Sequence, residues 1–498
     1  MSDARSVLAE LERLGIRAHT LCADSRYTKP GDVFVALKGK QVDGRNYISQ
    51  AIENGAIAVI SEAGKLPVGA GDTPVVTASD IGHFLGELAS SVYGHPSQKM
   101  WMAGVTGTNG KTSVSQWIAQ ALEALSESCG VVGTLGNGFP GRLADSANTT
   151  PDAIALQAVL AGLVSDGATA CAMEVSSIGL DQHRVAGVNF NVAILTNLSR
   201  DHLDYHSDMP TYAKAKEALF QMPELAAAVL NVDDYFGREL AAKLNGRLRT
   251  VGYTLAESSV DNFCCDQLLV AKNLNFRAAG LEFDLNGQHI SAPVVGRFNV
   301  ANLLAVIGAL LLRGHKLPAI AGALAIIEAP PGRMQSIGGT GEPLVVIDYA
   351  HTPDALEKAL SVLRETADSR AGKLICVFGC GGARDPGKRP QMGVVAETFA
   401  DRVIVTSDNP RNEDPELIVA DILKGMHSRP RVELDRGNAI TVTISAASSQ
   451  DVVLLAGKGH EPYQEINGAR VPFSDIQIAQ LVLTARRQAG GFSLEQGL

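Results

Sequence analysis

Apolar and polar residues alternate along the first part of the chain in a pattern that predicts short strands between helices. Residues 1–14 carry apolar positions at helical spacing, and Gly15 follows as an end signal. A helix is predicted from Asn46, and strands are predicted in GDVFVALKG (31–39), AIAVISE (56–62) and TPVVTAS (73–79). Pro96 disfavours helix at the residue before it, so we predict a first, small α/β domain over residues 1–97.

The next segment opens with the apolar strand MWMAGV, a glycine-rich loop and a helix. That helix has a single apolar face, formed by Val114, Trp117, Ile118, Ala121, Leu122 and Leu125. Further buried strands are predicted in TACAMEV (169–175) and NVAILTN (191–197). Alternation over residues 281–292 around Asn286-Gly287 predicts a β-hairpin. Residues 98–330 are therefore predicted to form a mixed α/β domain with a β-rich insertion.

Pro330-Pro331-Gly332 is typical of a hinge, and a third pattern follows it. Apolar strands alternate there with helical stretches in PLVVIDY (343–349), KLICVFG (373–379), RVIVTSD (402–408) and VVLLAGK (452–458). This pattern predicts a Rossmann-like, doubly wound and mostly parallel sheet over residues 331–498. Ligands bind at the carboxyl ends of such strands, where Asp348, Gly379, Asp408 and Gly457 fall. The predicted fold class is α/β with three domains.

Composition narrows the class of protein. Hydrophobic residues make up 46% of the 498 positions, so each domain can bury a core. The net charge of -10 opposes general binding to nucleic acid or to an anionic membrane. Seven scattered cysteines without a CxxC pair, and no apolar run long enough for a bilayer, favour a reduced, cytoplasmic protein. We expect a monomer that acts on small molecules.

A phosphate-binding loop is the strongest chemical signal. The segment from Gly104 to Thr112 resembles GxxxxGK[ST], with five residues instead of four between its first and last glycines, and it lies between an apolar strand and a helix, which is the context that this loop requires. Its glycines let backbone N–H groups point at phosphate oxygens, and the helix N-terminus adds a favourable field. Lys111 can reach the terminal phosphates, and the Thr112 hydroxyl can bind Mg²⁺. The loop predicts nucleotide binding but leaves open a switch, a motor, a kinase or a ligase.

Motifs spread over nearly the whole chain resemble the Mur ligases, the enzymes that build the peptidoglycan stem peptide. In chain order they are DSR (24–26), GTNGKTS (107–113), Asn148-Thr149-Thr150, EVSSIGLDQHR (174–184), TNLSRDHLDYH (196–206), YAKAK (212–216), GRFNVANLLA (296–305), IDYAHTPD (347–354), RDPGKRP (384–390), DNPR (408–411) and GKGHE (457–461). Four of these motifs, DSR, RDPGKRP, DNPR and GKGHE, are most similar to those of the family members that add 2,6-diaminopimelate. One position departs from the pattern, since Ile178 stands where a histidine is common.

The resemblance implies a ligase reaction driven by ATP. The D-glutamate carboxylate of a UDP-N-acetylmuramoyl dipeptide attacks the γ-phosphate, and the amine of meso-diaminopimelate then displaces phosphate from the acyl phosphate. Lys111, Glu174, His202 and Lys216 are the implied catalytic residues. Thr112, Glu174 and His202 are implied Mg²⁺ ligands, together with Lys216 after it has reacted with CO₂ to form a carbamate (N6-carboxylysine). Lys214 lies two positions away, on the opposite helix face, so only one of the two lysines can enter the site.

The resemblance also implies the substrate contacts. The implied ATP contacts are Gly107, Thr108, Asn109, Gly110, Lys111, Thr112, Ser113, Asn299, Arg333 and Asp348. The first domain would bind UDP, and the implied contacts for the UDP-sugar peptide are Ala23, Ser25, Lys40, Gln41, Val42, Asn148, Thr149, Thr150, Ser176, Gln182 and Arg184. Since Arg333 and Asp348 follow the hinge and Lys111 precedes it, we expect ATP to bridge two domains.

The amino-acid pocket is expected to hold a cation and an anion together, because the far end of diaminopimelate is a zwitterion. Arg411 can grip the far carboxylate through two N–H groups, and Glu461 can hold the ammonium. The remaining implied contacts are Arg384, Asp408, Asn409, Pro410 and Gly457. Lysine would place only an ammonium near Arg411, and like charges repel.

Three alternatives remain open. A lysine-adding relative would use the same chemistry, and Arg411 argues against it. A ligase similar to folylpolyglutamate synthase shares the phosphate loop but has no use for DNPR at residues 408–411. A nucleotide-gated switch or scaffold without catalysis belongs to a different class of protein, and the retention of Lys111, Glu174, His202 and Lys216 does not favour it.

Overall fold

A computed structural model of the chain describes residues 3–39, 42–64, 71–256, 264–277 and 280–495. It divides into two compact units. The first comprises Met1–Leu269 and Leu304–Ile320, and the second comprises Val270–Leu303 and Ala321–Leu498. The three domain ranges derived from the sequence stay predictions.

The N-terminal part of the first unit contains a small parallel sheet covered by helices. Its elements are α1 (Ala4–Arg13), β1 (Leu21–Cys22), β2 (Val33–Ala36), α2 (Ile48–Glu53), β3 (Ala58–Glu62), β4 (Val75–Ala78) and α3 (Ile81–Val92). The described strands pair in the order β1-β2-β3-β4, all parallel. Asp3 caps α1 by accepting the Ser6 N–H at 2.9 Å, and the buried face of α1 packs through Val7 and Leu11. The predicted strands and the predicted opening helix are confirmed.

A larger sheet follows in the same unit. Its elements are β5 (Trp101–Thr106), α4 (Lys111–Ala124), β6 (Cys129–Gly133), β7 (Gly136–Phe139), β8 (Arg142–Ala144), α5 (Ala153–Ser165), β9 (Ala170–Glu174), α6 (Ser177–Asp181), β10 (Val192–Leu195), α7 (Leu203–His206), α8 (Met209–Glu217), β11 (Ala227–Asn231), α9 (Tyr235–Leu244), β12 (Arg249–Thr254) and β13 (Gln267–Val270). Within the described residues the order is β13-β12-β11-β10-β5-β9-β6-β7-β8. Because β5, β9 and β10 run parallel, their carboxyl ends meet at one edge.

The β-rich insertion and two helices come next in the chain. The elements are β14 (Lys272–Arg277), β15 (Gly280–Leu285), β16 (Gln288–Ala292), α10 (Arg297–Arg313) and α11 (Leu317–Leu324). β15 and β16 pair antiparallel, with Leu285 opposite Gln288. Asn286 and Gly287 both have positive φ, of 49° and 79°, as a two-residue hairpin turn requires. The predicted hairpin is confirmed. No helix in the described part of the chain is both long and apolar enough to cross a membrane.

The C-terminal part of the second unit contains the predicted doubly wound sheet. Its elements are β17 (Gln335–Gly338), β18 (Leu344–Asp348), α12 (Pro353–Ser369), β19 (Leu374–Phe378), α13 (Lys388–Phe399), β20 (Arg402–Val405), α14 (Pro415–Leu423), β21 (Arg431–Val432), α15 (Arg436–Ala446), β22 (Val452–Ala456), β23 (Tyr463–Ile466), β24 (Ala469–Pro472) and α16 (Asp475–Glu495). The described strands run β17-β18-β22-β19-β20-β21, and only β17 is antiparallel to its neighbour. β23 and β24 form a separate antiparallel hairpin.

Alternate residues of the central strands enter two different cores. In β22, Leu454 packs in the core that includes α12, α13 and α14, whereas Leu455 packs with α15 and α16. Both faces of the sheet are therefore covered by helices, which explains why these strands are almost wholly apolar. The α/β class and the doubly wound sheet are confirmed. Asp348 ends β18, and Gly379, Asp408 and Gly457 follow the carboxyl ends of β19, β20 and β22.

Candidate active site

The phosphate loop lies between β5 and α4, with its backbone packed closely against the segment after β10. Gly107 has a φ of 145°, and a Cβ there would collide with the side chain of Thr196. Gly110 has a φ of 84° and caps α4. The strand, loop and helix that the motif requires are all present, and an anion at this loop would meet the positive end of the α4 dipole.

The segment after β10 holds the loop in shape. The Thr196 hydroxyl donates to the Asn109 carbonyl at 2.6 Å, and Asn197 bonds both backbone groups of Asn109, at 3.0 and 3.1 Å. The Ser199 N–H donates to the Thr108 hydroxyl oxygen at 2.9 Å. The Thr-Asn-Leu-Ser part of the 196–206 motif therefore orders the phosphate loop, a role that its sequence alone did not indicate.

Two lysines converge on one backbone carbonyl of this loop. Lys111 Nζ donates to the Gly107 and Thr108 carbonyls at 2.9 and 3.0 Å, and Lys216 Nζ donates to the same Gly107 carbonyl at 2.8 Å. Lys216 is 1% exposed, whereas Lys214 on the same helix is exposed. The structure thus separates the two lysines as expected for positions two apart on α8.

Burial changes the charge state of Lys216. Desolvation, and to a smaller extent the neighbouring charge of Lys111, lower the pKa of Lys216 to about 6. The Tyr212 ring centroid lies 4.4 Å from Lys216 Nζ, and the Tyr212 hydroxyl lies 3.2 Å from the Thr108 hydroxyl. Burial raises the pKa of Tyr212 to about 12, so its hydroxyl stays protonated. An uncharged amine at Lys216 at neutral pH is a nucleophile that could react with CO₂.

Glu174 ends β9 with a buried carboxylate beside the first turn of α4. It accepts from the Thr112 hydroxyl at 3.0 Å and from the Thr134 backbone and hydroxyl at 2.9 and 3.1 Å. A Cβ at Gly133 would collide with this carboxylate. Carboxylate and hydroxyl oxygens are the hard donors that Mg²⁺ prefers, so Thr112 and Glu174 fit that cation. Sequence reasoning missed Thr134, which orients the carboxylate.

His202 follows β10 and has a left-handed backbone conformation, with a φ of 51°. Its side chain is about half exposed, 3.6 Å from the Asp201 carboxylate, and its ring centroid is 6.1 Å from that of Tyr212. Among the described residues no three His, Cys, Asp or Glu side chains form a ready-made metal site.

The residues expected to bind the peptide form a hydrogen-bonded network next to Glu174. The Thr150 hydroxyl donates to the Glu174 carbonyl and accepts from the Ser176 N–H, each at 3.0 Å. Arg184 donates to the Thr150 carbonyl at 2.7 Å and to the Gln182 side chain at 2.7 and 3.0 Å. Arg184 is therefore anchored by two neighbours before any ligand arrives.

Three more of these residues have distinct surroundings. Ser176 caps α6 by accepting the Gly179 N–H at 3.0 Å, so its hydroxyl already has a structural partner. The Thr149 hydroxyl lies 3.0 Å from that of Thr134, which joins it to the Glu174 cluster. Asn148 is exposed beside them.

The expected UDP contacts divide between buried and exposed positions. Ser25 is buried, with its hydroxyl donating to Gln50 at 2.7 Å and its carbonyl accepting from Asn54 at 2.8 Å. Ala23 and Val42 are exposed. Lys40 and Gln41 lie outside the described residues. Ser25 thus has a clear structural role in fixing the 24–26 turn against α2.

The expected adenosine contacts lie in the second unit. The Asn299 side chain donates to the Val295 carbonyl at 2.7 Å and accepts from Asn302 at 2.9 Å. Asp348 accepts the Met334 N–H at 2.8 Å, and burial raises the pKa of Asp348. The Arg333 guanidinium lies 5.8 Å from the Tyr349 ring centroid. These groups are ordered by their own neighbours.

The loops after β20 and β22 bring opposite charges together around a buried lysine. Lys458 is fully buried, and its Nζ donates to Asn409 at 3.0 Å and to Glu461 at 3.1 Å. The Asn409 amide donates to the same Glu461 oxygen at 2.8 Å, and Asp408 lies 3.8 Å from Lys458. Burial raises the pKa of Asp408, while Arg436 and Lys458 oppose that shift. Sequence reasoning missed Lys458, although it stands inside the GKGHE motif.

Arg411 lies at the other side of this loop in a left-handed conformation, with a φ of 52°. Its Nε donates to Glu465 at 3.1 Å and its Nη1 donates to the Gly382 carbonyl at 2.7 Å. A Cβ at Gly381 would lie 3.0 Å from Arg411 Nη1 and 3.8 Å from the Arg384 side chain. The structure therefore brings Arg384 and Arg411 to the same glycine, with Arg384 exposed and Arg411 mostly buried. Glu465 was not foreseen.

A phosphate loop with a second, buried lysine, followed in the chain by a doubly wound domain with a zwitterionic loop cluster, defines the class of protein. Three family models match: the Mur ligase family, catalytic domain, at residues 17–93; the Mur ligase middle domain, at residues 105–310; and the Mur ligase, glutamate ligase domain, at residues 332–459. The chain belongs to the Mur ligase family.

Individual members of the family are similar to this chain over most of its length. A protein of Pseudomonas aeruginosa named UDP-N-acetylmuramoyl-L-alanyl-D-glutamate–2,6-diaminopimelate ligase is 50% identical over 474 residues, which cover 93% of this chain and 95% of the relative. A solved structure of a ligase with the same name has a TM-score of 0.71 at 37% identity, and covers 94% of this chain and 95% of its own. The folylpolyglutamate synthase of Mycobacterium tuberculosis complexed with ADP and AMPPCP has a TM-score of 0.57 at 17% identity, covering 75% of this chain and 91% of its own. This last likeness shows the fold alone.

Proposed function

We propose that the protein is an ATP-dependent amide ligase of peptidoglycan synthesis. It joins meso-diaminopimelate to the D-glutamate of UDP-N-acetylmuramoyl-L-alanyl-D-glutamate. The observation that carries the proposal is the pair of lysines, Lys111 and Lys216, that share the Gly107 carbonyl inside a phosphate loop. The similarity to diaminopimelate ligases over nine-tenths of the chain supports the choice of substrates.

The first step makes the carboxylate reactive. An oxygen of the D-glutamate γ-carboxylate attacks the γ-phosphorus of ATP, the bond from that phosphorus to the ADP oxygen breaks, and an acyl phosphate forms. All the reacting groups are anionic, so positioning and charge neutralisation supply most of the acceleration. Residues 107–113 provide backbone N–H groups, and Lys111 provides a cation for the transferring phosphoryl group. Asn299, Arg333 and Asp348 are the proposed contacts for the adenosine part.

Lys216 is proposed to act as a carbamate. Its neutral amine attacks CO₂, a C–N bond forms and one proton is lost, so the side chain becomes an anion. Thr112, Glu174, His202 and the Lys216 carbamate would then hold Mg²⁺, which neutralises phosphate charge when it is bound. The lowered pKa of Lys216, about 6, supports this step because an ammonium cannot react with CO₂.

The second step uses the incoming amine. After losing its proton, the amine nitrogen attacks the acyl carbon, a tetrahedral intermediate forms, and the bond to the phosphate oxygen breaks. Arg411 binds the far carboxylate of diaminopimelate and Glu461 binds the far ammonium, with Arg384, Asp408, Asn409, Pro410 and Gly457 around them. Lys458 fixes Glu461 and Asn409 relative to each other, which supports a preformed pocket.

The peptide and nucleotide-sugar parts of the acceptor are proposed to bind in the first unit. Arg184 is the cation for a carboxylate or a phosphate, and its anchoring by Gln182 and Thr150 supports this role. Asn148, Thr149, Thr150 and Ser176 are the neighbouring contacts. Ala23, Ser25, Lys40, Gln41 and Val42 are proposed for UDP.

Phosphate release tests the proposal directly. The purified protein is given ATP, Mg²⁺ and the UDP-dipeptide, with meso-diaminopimelate, with L-lysine, or with no amine. We expect sustained phosphate release with diaminopimelate, at least about tenfold less with lysine, and little without amine. Equal release with lysine would support the lysine-adding alternative. Release that is indifferent to both the dipeptide and the amine would reject the ligase.

A further inference from the structure

A short hairpin after the GKGHE motif is joined to the loop that carries Arg411. The Arg411 N–H donates to the Glu465 carbonyl at 2.9 Å, and the Asn467 N–H donates to the Arg411 carbonyl at 2.7 Å. Arg411 and Ile466 form an isolated parallel bridge. The β23–β24 hairpin is therefore fixed beside Arg411 by its backbone.

Side chains strengthen the same junction. The Glu465 N–H donates to the Asn409 side chain at 3.0 Å, and Gln464 donates to the Asp408 carbonyl at 2.8 Å. Two residues of β23 thus contact two residues of the 408–411 loop, both of which are buried. The position of Glu465 relative to Arg411 is consequently set by the fold and does not depend on a flexible surface side chain.

The guanidinium of Arg411 is held at two of its nitrogen atoms. Glu465 accepts from Nε at 3.1 Å, and the Gly382 carbonyl accepts from Nη1 at 2.7 Å. A guanidinium is planar and has five N–H donors, so contacts at two nitrogens fix the plane and leave the remaining donors on Nη1 and Nη2 for a ligand. The Arg411 and Glu465 side chains are 21% and 32% exposed, which leaves room for a ligand to approach.

We propose that Glu465 is a positioning residue for the amino-acid substrate, a role that rests on the proposed function of Arg411. By holding Nε, Glu465 presents the Nη edge of Arg411 to the far carboxylate of a diamino dicarboxylic acid. Two parallel N–H···O bonds need a defined guanidinium plane, and an arginine that is already ordered loses less side-chain entropy when it binds.

A competing role for the contact between Glu465 and Arg411 predicts the opposite change in the KM for diaminopimelate. If Glu465 merely competed with the ligand carboxylate for Arg411, its removal would tighten diaminopimelate binding and lower KM. If Glu465 orients Arg411, its removal weakens binding. The sign of the change in KM therefore decides between the two roles.

The test compares Glu465→Ala, Glu465→Asp and Glu465→Gln in the full-length enzyme by steady-state kinetics. We expect Glu465→Ala to raise KM for diaminopimelate about 3- to 10-fold, with kcat and the KM values for ATP and the UDP-dipeptide unchanged. Glu465→Asp keeps the charge but shortens the side chain, so KM should rise similarly. Glu465→Gln keeps an oxygen acceptor for Nε and should restore most of the wild-type KM.

Glu342→Ala is the matched control, because it also removes a carboxylate paired with an arginine, Arg487, at 2.7 Å. Glu342 precedes the start of β18, so it lies at the end of the sheet opposite to the loop that carries Arg411. The kinetics of Glu342→Ala should equal those of the wild type. The double variant Arg411→Ala/Glu465→Ala should have the same KM for diaminopimelate as Arg411→Ala alone, because Glu465 acts only through Arg411.

An unchanged or lowered KM for diaminopimelate in Glu465→Ala, or a parallel rise in all three KM values, would overturn the positioning role. If Glu465→Ala does not fold, Glu465→Asp carries the same comparison. If the wild-type enzyme does not use diaminopimelate, the proposed function itself is rejected. If the wild type uses diaminopimelate and Glu465→Ala has the same KM for it, only the positioning role of Glu465 is rejected.

Discussion

The phosphate loop and the zwitterionic loop cluster are built in opposite ways. The phosphate loop is a contiguous stretch whose ligand groups are mainly backbone, and it is clamped by Thr196 and Asn197. The cluster around Lys458 gathers side chains from the loops after β20 and β22. In the first site two lysine side chains meet at one carbonyl, and Lys111 supplies the positive charge because burial keeps the Lys216 amine neutral at neutral pH. In the second, opposite charges neutralise each other.

This difference matches the proposed ligands. A triphosphate brings an excess of negative charge, which the Lys111 cation and the backbone N–H groups of the loop can offset. A zwitterionic amino-acid end brings both signs, so its pocket can satisfy its own charges before binding. We expect substitutions in the first site to affect the chemical step, and substitutions in the second to affect the choice of amine.

The largest effect is expected for Lys111→Met. The loss of this cation should lower kcat about 10³- to 10⁵-fold, the range for a cation that stabilises a transferring phosphoryl group. Rapid-quench or phosphate-release kinetics measure it. Lys243→Met, which removes a surface lysine paired with Glu217, is the control and should match the wild type. A fall below tenfold would mean that Lys111 does not act on the phosphoryl group.

Arg411→Ala is expected to have the next largest effect, and on a different parameter. It should weaken diaminopimelate recognition by about 2–5 kcal/mol, the range for breaking a desolvated charge pair, while phosphate transfer to the dipeptide persists. Titration calorimetry and the KM for diaminopimelate measure it. Arg487→Ala is the control. Unchanged affinity for diaminopimelate would remove Arg411 from the pocket.

Lys216 predicts a dependence of stability on pH. Burial lowers its pKa from 10.5 to about 6, so between these values the unfolded chain binds about one proton more than the folded chain. The destabilising effect is greatest below about pH 6 and is relieved as the pH rises toward 10.5. Relative to Lys216→Met, the wild-type free energy of unfolding should therefore increase by about 1.4 kcal/mol per pH unit between pH 7 and 9.

Denaturation midpoints in CO₂-free, Mg²⁺-free buffer measure this slope. Lys214→Met is the matched control, because Lys214 is exposed on the same helix and should give no pH-dependent difference from the wild type. A flat difference between wild type and Lys216→Met would contradict the buried, neutral amine.

The smallest effect is expected for Ser176→Ala. Loss of the cap on α6 should cost about 1 kcal/mol of stability, and Ser176→Asp, which can still accept the Gly179 N–H, should recover it. Thermal unfolding measures both. If the KM for the UDP-dipeptide rises in both variants, Ser176 contacts the substrate in addition to capping α6. If that KM is unchanged in both, Ser176 has the structural role alone.

The same contrast explains what could be predicted from the sequence. The phosphate loop follows from local rules, since a short motif places it. The helical period predicts that only one of Lys214 and Lys216 faces the site, and the resemblance to the Mur ligases selects Lys216. Asp348, Asp408 and Gly457 fall at the ends of apolar runs in the sequence, so they were predicted to lie at the carboxyl ends of parallel strands, where ligands bind.

Other features depend on contacts between distant positions, which the linear pattern does not encode. Thr134 meets Glu174 across 40 positions and Glu465 meets Arg411 across 54. Neither residue type is unusual in a turn or a strand, so only the folded backbone reveals their roles. Lys458 was within reach of a sequence argument, because a lysine directly after an apolar strand and three positions before Glu461 needs a structural explanation.

The most direct measurement of the central claim follows an isotope from the dipeptide into phosphate. The D-glutamate γ-carboxylate is labelled with ¹⁸O, and the phosphate formed with ATP and diaminopimelate is examined by mass spectrometry. If an acyl phosphate forms and the amine displaces phosphate, each phosphate released should carry one ¹⁸O from the carboxylate. Phosphate without the label, alongside formation of the tripeptide product, would contradict the account.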